Sequence, residues 1–304
     1  MHCTAQPMRA GRLREGRPLV RSASLCRACS PAALGTRHSV ALWRNIFKRG
    51  SAAAQASSLG RAGARAYAVG DIHGRLDLLD SLLGRIEHDV AGAEQRENVI
   101  VFLGDFVDRG PESAGVIERL RTYRPAFAQT VFLAGNHEEL FLRVLNGDAR
   151  SLPQWLKFGG AECVESYGVS VGDLHRLGRT DALELLKSKV PPEHVAFLEA
   201  MGDSYRFGDY LLVHAGIRPG VALEEQSRAD LRWIREPFLS HGQEHGVVVV
   251  HGHTIVEAVE ERGNRIGIDT GAYRSGVLTA LVMEDDRRRY LTGEVPRIER
   301  ATAA

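Results

Sequence analysis

Short apolar runs and stretches of helical spacing take turns along the middle of the chain. Ala66–Val69 is a brief apolar run that stops at Gly70-Asp71. Leu76, Leu79, Leu82, Leu83, Ile86 and Val90 then recur every three or four positions, which lines one face of a helix. Asn98–Leu103, partly β-branched, predicts a second strand, and Glu112–Tyr123 a second helix. Gln129–Ala134 and Glu138–Leu145 repeat the pair. Strands alternating with helices predict a parallel sheet with helices on its faces. In such a sheet the functional loops lie beyond the carboxyl ends of the strands.

Residues 146–200 are mostly helical by pattern, with Pro191-Pro192 starting the last helix. They are expected to form an insertion that caps one side of the sheet. Beyond them, Tyr210–Val213, Val247–Val250, Val256–Glu260, Arg265–Ile268, Val277–Met283 and Arg288–Leu291 predict strands. The last of these read as a meander turning at Arg262-Gly263-Asn264 and Glu284-Asp285-Asp286. The second half is therefore expected to be more antiparallel. Two mixed β-sheets flanked by helices, an α/β architecture, accommodate both halves.

Composition changes this picture mainly at the amino-terminal end. The 304 residues are 44% apolar and 25% charged, enough for one large domain or two modest ones. No apolar run approaches the roughly 18 residues of a membrane span, and no internal repeat is visible. The formal net charge of +1 hides an asymmetry: residues 1–66 hold eleven Arg, one Lys and one acid, a net of +11, which leaves −10 for the rest. We expect residues 1–65 to be a basic, disordered extension and residues 66–304 to be the folded domain. An Arg- and Ser-rich, acid-poor head also has the look of an organelle transit peptide. A nucleic-acid arm fits less well, because no aromatics are interleaved with the arginines. A further reading sets the start at Val40, since no Met lies between Met8 and Met201. The Cys26–Cys29 pair lacks a second pair at zinc spacing, and Cys163 stands alone in the folded part. That usage fits a reducing compartment such as the cytoplasm.

Five strand ends carry polar clusters: Gly70-Asp71-Ile72-His73-Gly74, Gly104-Asp105-Phe106-Val107-Asp108-Arg109-Gly110, Gly135-Asn136-His137-Glu138, His214-Ala215-Gly216 and His251-Gly252-His253-Thr254. Singly, each has an ordinary explanation. Asn136 would serve as a helix N-cap with Glu139 closing a capping box, and His214 as a satisfied core histidine. Together, they gather Asp, Asn and His atoms at one sheet edge, a donor set suited to two divalent ions. The adjacent glycines let the backbone turn sharply beside the ligands.

GDIHG, GDFVDRG, GNHE, HAG and GHT, in this order and spacing, resemble the phosphoprotein phosphatase family of binuclear metallophosphoesterases. The likeness is nearest to its bacterial and phage-type members and runs from about Tyr67 to Leu291. It implies a calcineurin-like sandwich holding two divalent ions, Mn²⁺ with Fe or Zn²⁺ as alternatives. It assigns Asp71 and His73 to a first metal, Asp105 to a bridge, and Asn136, His214 and His253 to a second. His251, two residues earlier, remains the alternative to His253. His137 takes the place of the general acid, Asp108 of its partner, and Arg109 of a phosphate clamp. Leu231-Arg232-Trp233-Ile234-Arg235 resembles a later motif that supplies a second arginine, Arg235, with Arg232 as the fallback. Ile268-Asp269-Thr270-Gly271-Ala272 resembles a late strand end near the metals, and Tyr273 is a candidate to line the pocket.

The implied reaction is direct attack on phosphorus by a metal-bridging hydroxide. VDRG and GNHE lean toward phosphoserine and phosphothreonine substrates. Diadenosine tetraphosphate hydrolases of the same fold, which tend to carry Ala at the position of Asp108, are the alternative. A non-catalytic scaffold is the least expected reading, because every ligand position is filled. The expected partners are a phosphoprotein or a small phosphoester, with no nucleic acid and no membrane.

Overall fold

The computed structural model describes residues 59–295. The proposed start at Val40, the Cys26–Cys29 pair and most of the expected extension lie outside the described residues. Residues 59–65 do not belong to that extension. Strand β1, Ala64–Val69, starts two residues earlier than the apolar run suggests. Arg65 is buried within it, its Nε donating to Glu284 at 2.6 Å and its Nη1 to Asn98 Oδ1 at 3.4 Å. Composition counts Arg65 as one more basic residue; its partners lie 219 and 33 positions away.

Five strands make the first sheet: β1, β2 (Glu97–Phe102), β3 (Gln129–Phe132), β9 (Val277–Glu284) and β10 (Arg287–Glu294), in the order β10-β9-β1-β2-β3. β1, β2 and β3 are parallel, as the alternation with helices requires, and β9 joins β1 antiparallel. The crossover helices are α1 (Leu76–Gly92) and α2 (Ser113–Thr122). After β3 comes α3 (Asn136–Leu145). The insertion follows as α4 (Leu152–Trp155), a π turn (Leu156–Gly160), α5 (Ala161–Ser166), α6 (Val171–Arg176), α7 (Arg179–Lys189) and α8 (Pro192–Glu199). Among the described residues, no helix is long and apolar enough to cross a membrane.

The second sheet contains β4 (Ser204–Phe207), β5 (Tyr210–Val213), β6 (Val248–His251), β7 (Glu260–Glu261) and β8 (Arg265–Gly267), in the order β4-β5-β6-β8-β7. Its middle, β5-β6-β8, is parallel, so the second half is less antiparallel than the turn pattern suggests. The expected meander is two separate hairpins. β7–β8 stays in the second sheet, whereas β9–β10 crosses to the first. Both turns are where the sequence puts them, but a hairpin pattern does not say which sheet edge the hairpin joins.

Side-chain alternation explains the two layers. In β1 and β2, Ala64, Ala66, Ala68, Val99 and Val101 face the second sheet, where they meet Tyr210, Leu212, Val248, Val250 and Ile266. The intervening Tyr67, Val69, Ile100 and Phe102 face the helices. Leu211, Val213 and Val249 turn outward under α9 (Arg228–Trp233). Packing the two sheets face to face brings the carboxyl ends of β1, β2, β3, β5, β6 and β8 together.

Arg65→Ala should destabilise the fold by about 1–3 kcal/mol, since it removes a buried partner of Glu284 and Asn98. Urea unfolding should show a lower midpoint with an unchanged m-value; an unshifted midpoint would return Arg65 to the extension.

Candidate metal centre

Asp105 occupies the middle of the cluster. Its Oδ2 lies 3.6 Å from His73 Nε2 and 3.9 Å from His137 Nε2, and its Oδ1 lies 3.3 Å from His214 Nε2. His73, Asp105 and His137 bring possible ligand atoms within 4.8 Å of one another, and so do Asp105, His214 and His253. Asp105 is common to both groups. Asn136 joins the second, with its Oδ1 3.0 Å from His214 Nε2. Asp71 lies against the edge of the cluster and accepts the backbone N–H of His253 at 3.0 Å. All of these residues are buried.

The backbone is bent to gather them. Among the described non-glycine residues, six have positive φ, and five are His73, Asp105, Asp108, Arg109 and His253; the sixth is Asp285, in the β9–β10 turn. Left-handed backbone at non-glycine residues costs energy and persists only where its surroundings hold it. Two glycines make the room. A Cβ on Gly135 would lie 2.1 Å from Asp105 Oδ1, and one on Gly252 would lie 2.0 Å from Asp71 Oδ1.

Hydrogen bonds show which nitrogen each ring presents. His73 Nδ1 donates to Val107 O at 2.8 Å and His214 Nδ1 to Leu103 O at 3.0 Å, so both turn Nε2 to the centre. His253 Nε2 is buried without a partner. Burial pushes His253 down to about 3 and His73 well below the usual imidazole range, which keeps both neutral. Burial, Asp269 and Asp105 push Asp71 up. Asp105 goes the other way: burial opposes its charge, but His214, His137 and His73 outweigh it and hold the carboxyl well below its usual range. Asp269 follows β8 and is fixed through Oδ1 by the Gly271 N–H at 2.9 Å; its Oδ2 is buried without a donor. Carboxylates, an amide oxygen and neutral imidazoles thus converge, with an imidazole nitrogen and a carboxylate oxygen unpartnered. These donors fit divalent cations of hard to borderline character.

A second set of residues stands beside the first. His137 Nδ1 donates to Asp108 Oδ2 at 2.6 Å. Burial works against the imidazolium, but Asp105 and Asp108 outweigh it and raise the His137 pKa. The Arg109 guanidinium reaches His73 Nε2 at 2.7 Å and His137 Nε2 at 3.0 Å, and lies 5.1 Å from the centre of the Tyr273 ring. Arg235 is exposed at the rim, its Nη2 3.5 Å from His253 O. Arg232, the fallback, is tied to Asp203 at 2.6 Å and to Glu139 at 3.4 Å and does not face the centre. His251 also points elsewhere. Its Nε2 lies 3.4 Å from Arg265 Nη1, its ring meets Phe238 edge-on, and burial holds it down to about 4.

Two residues of the site were given no structural role in the sequence. Glu138 accepts from the backbone N–H groups of Asp105 and Gly135 at 2.8 Å, of Phe106 at 2.7 Å and of Val107 at 3.3 Å. It makes the N3-to-N-cap contact expected of Glu139, because Gly135 is the N-cap and Asn136 is already inside the helix with its amide oxygen facing His214. The other is Trp155 of α4, whose Nε1–H donates to both oxygens of Asp108, at 2.9 and 3.1 Å.

The family model described as Calcineurin-like phosphoesterase matches residues 64–274. A curated relative, serine/threonine-protein phosphatase 2 of Escherichia coli K12, is 26% identical over 226 residues, covering 70% of this chain and 90% of the relative. Another, the asymmetrical bis(5'-nucleosyl)-tetraphosphatase PrpE of Bacillus subtilis 168, is 25% identical over 234 residues, covering 69% and 87%. A solved structure provisionally assigned as a diadenosine tetraphosphatase superposes with a TM-score of 0.54 at 20% identity, covering 78% of this chain and 97% of that one, which shows a shared fold.

Glu138→Gln replaces one acceptor oxygen with an amide facing backbone N–H groups. It should cost about 1–3 kcal/mol of stability and shrink the rise in melting temperature on adding Mn²⁺. A variant as stable as the parent, with the same Mn²⁺ response, would remove Glu138 from the support of the centre.

Proposed function

We propose that this chain, which belongs to the calcineurin-like phosphoesterase family, releases phosphate from phosphoserine and phosphothreonine. As a member of that family it is a metallophosphoesterase, a hydrolase. In the proposed reading, Asp71, His73 and Asp105 hold one ion, and Asp105, Asn136, His214 and His253 hold the other. When bound, two divalent ions supply Lewis-acid charge and an activated water. Mn²⁺ is the ion we favour; the mixed nitrogen and oxygen donors also suit Fe and Zn²⁺.

The protein's own residues do the rest. Arg109 and Arg235 neutralise the phosphoryl oxygens, Arg109 with a fork that matches two of them. As phosphate draws the Arg109 guanidinium away, His137 Nε2 is freed to carry a proton. His137 hands that proton from Nε2 to the leaving oxygen, while Asp108 keeps Nδ1–H fixed and stabilises the imidazolium. We place the enzyme in the cytoplasm, where free thiols such as Cys163 persist.

The Asp108–His137 contact at 2.6 Å carries the choice of substrate. A serine or threonine alkoxide leaves poorly without a proton. A nucleotide leaving from a polyphosphate is already a stable anion and gains little from an acid. A carboxylate spent on charging His137 is therefore matched to alkyl phosphomonoesters. The second reading, a dinucleoside polyphosphate hydrolase, draws on the Bacillus subtilis relative that carries that name.

Turnover of a phosphothreonine peptide and of diadenosine tetraphosphate by the Mn²⁺-loaded protein separates the two. We expect the larger kcat/KM on the peptide; the reverse order would move the assignment to the second reading. His137→Asn should keep its metal content and lose about 10²–10⁴-fold in turnover of the peptide. It should lose far less on 4-nitrophenyl phosphate, whose leaving group needs no acid. An equal loss on both would contradict the acid role.

A further inference from the structure

The helical insertion touches the loop that carries Asp108 and Arg109 through Trp155, Gly159 and the buried Cys163 thiol, which lies against Asp108. Trp155 donates to Asp108, as above, and the backbone N–H of Arg109 donates to Gly159 O at 2.9 Å. Between these contacts the helix kinks within Leu156–Gly160, where Gly159 leaves helical backbone. That kink is what allows both contacts. Gly159 sits at φ +110°, where a Cβ would lie 2.6 Å from Arg109 Cγ and 2.8 Å from Arg109 N. A Cβ on Gly160 would lie 2.5 Å from the Trp155 indole.

Trp155 is fully buried and stacks on Phe141, with ring centres 5.1 Å apart. Phe141 belongs to α3, the helix that begins with Asn136 and His137. The indole is thus registered against the helix bearing the histidine and against the carboxylate that faces it. Asp108 has φ +73°, and its backbone N–H is held by Ser113 Oγ at 2.9 Å. That leaves the torsion of the carboxyl group to be set by its own partners. Oδ2 faces His137 Nδ1 and Trp155 Nε1, and Oδ1 receives the same indole N–H. The Cys163 thiol also lies against this carboxyl, but the indole fork is the contact that reaches both oxygens and so bears on the plane of the carboxylate.

We propose that Trp155 is a positioning residue for the acid step: its indole N–H holds the Asp108 carboxylate in the plane that meets His137 Nδ1. The insertion thereby completes the proton-donating pair, which the sheet loops supply but do not orient. This rests on the acid role proposed for His137.

The experiment replaces the N–H and nothing else. Benzothienylalanine placed at 155 by codon suppression keeps the bicyclic shape and puts sulfur where the N–H was; Trp155→Phe is the simpler companion. Each is compared with the parent and with His137→Asn on a phosphothreonine peptide and on 4-nitrophenyl phosphate, together with Mn²⁺ bound per chain. We expect both Trp155 variants to lose about tenfold to a hundredfold in kcat on the peptide, the range for one hydrogen bond to a charged group. KM and bound Mn²⁺ should stay level, and 4-nitrophenyl phosphate should lose about threefold or less. The ratio between the two substrates does not depend on the fraction folded, and the isosteric variant decides if Trp155→Phe fails to fold. Selective loss in His137→Asn with full peptide turnover, or an equal loss on both substrates, in the isosteric variant overturns the role of Trp155 alone. An equal loss on both substrates in His137→Asn overturns the acid reading and this inference with it.

Discussion

The centre is organised around one buried carboxylate in a costly place. Asp105 has φ +52°, lies out of water, and shares its two oxygens between imidazoles on opposite sides. Desolvation alone would neutralise it. It stays charged because His214 and His137 flank it and the backbone N–H of His137 donates to it at 3.1 Å. Its backbone holds a left-handed turn because Glu138 collects the N–H groups of Asp105, Phe106 and Val107. Helix α3 begins next to β3, so the residue that caps the helix also clamps the neighbouring loop. The local structure of one strand end is thus fixed by the next strand end over.

That dependence explains what was legible in the sequence. Strand ends bearing Asp, His and Asn between glycines are local patterns, and their common edge follows from an alternating α/β order. His253 could be read only by resemblance; its place opposite His214, and the turning of His251 toward Arg265 and Phe238, are consequences of packing. Arg65, Glu138 and Trp155 were illegible for a shared reason. Each is a polar group inside the structure, and its meaning lies in a partner elsewhere in the chain: Arg65 and Glu284, Glu138 and the Asp105 loop, Trp155 and Asp108. Periodicity reports which face a residue takes, not what it meets there. The β9–β10 hairpin makes the same point for the fold, because its alternation suits either sheet and its pairing with β1 decides.

The insertion fits the same logic. A loop of five residues, Asp105 through Arg109, with three of them in left-handed backbone, cannot hold itself; it needs acceptors and donors brought from outside. Glu138 supplies them at its start. Gly159 O and the Trp155 indole supply them at its end. A helical segment at this point in the chain therefore does more than cover the sheet. Its first turn sits where the loop is least able to choose its own conformation, and its later helices build the core that keeps that turn in place.

The sharpest demonstration of how little separates the two proposed roles, ligand and proton carrier, is the pair His73 and His137. Their ring centres are 4.7 Å apart, both are buried, and both face Asp105. Their pKa values nevertheless move in opposite directions, His73 down and His137 up. Burial pushes both toward the neutral form, and Arg109 repels both imidazoliums. One difference lies behind the rings. His73 Nδ1 donates to a carbonyl, Val107 O, which carries no net charge to stabilise an imidazolium. His137 Nδ1 donates to a carboxylate, Asp108, which does. The proposed roles follow from that choice of acceptor: a neutral imidazole offers Nε2 as a lone pair, and a charged one offers Nε2–H.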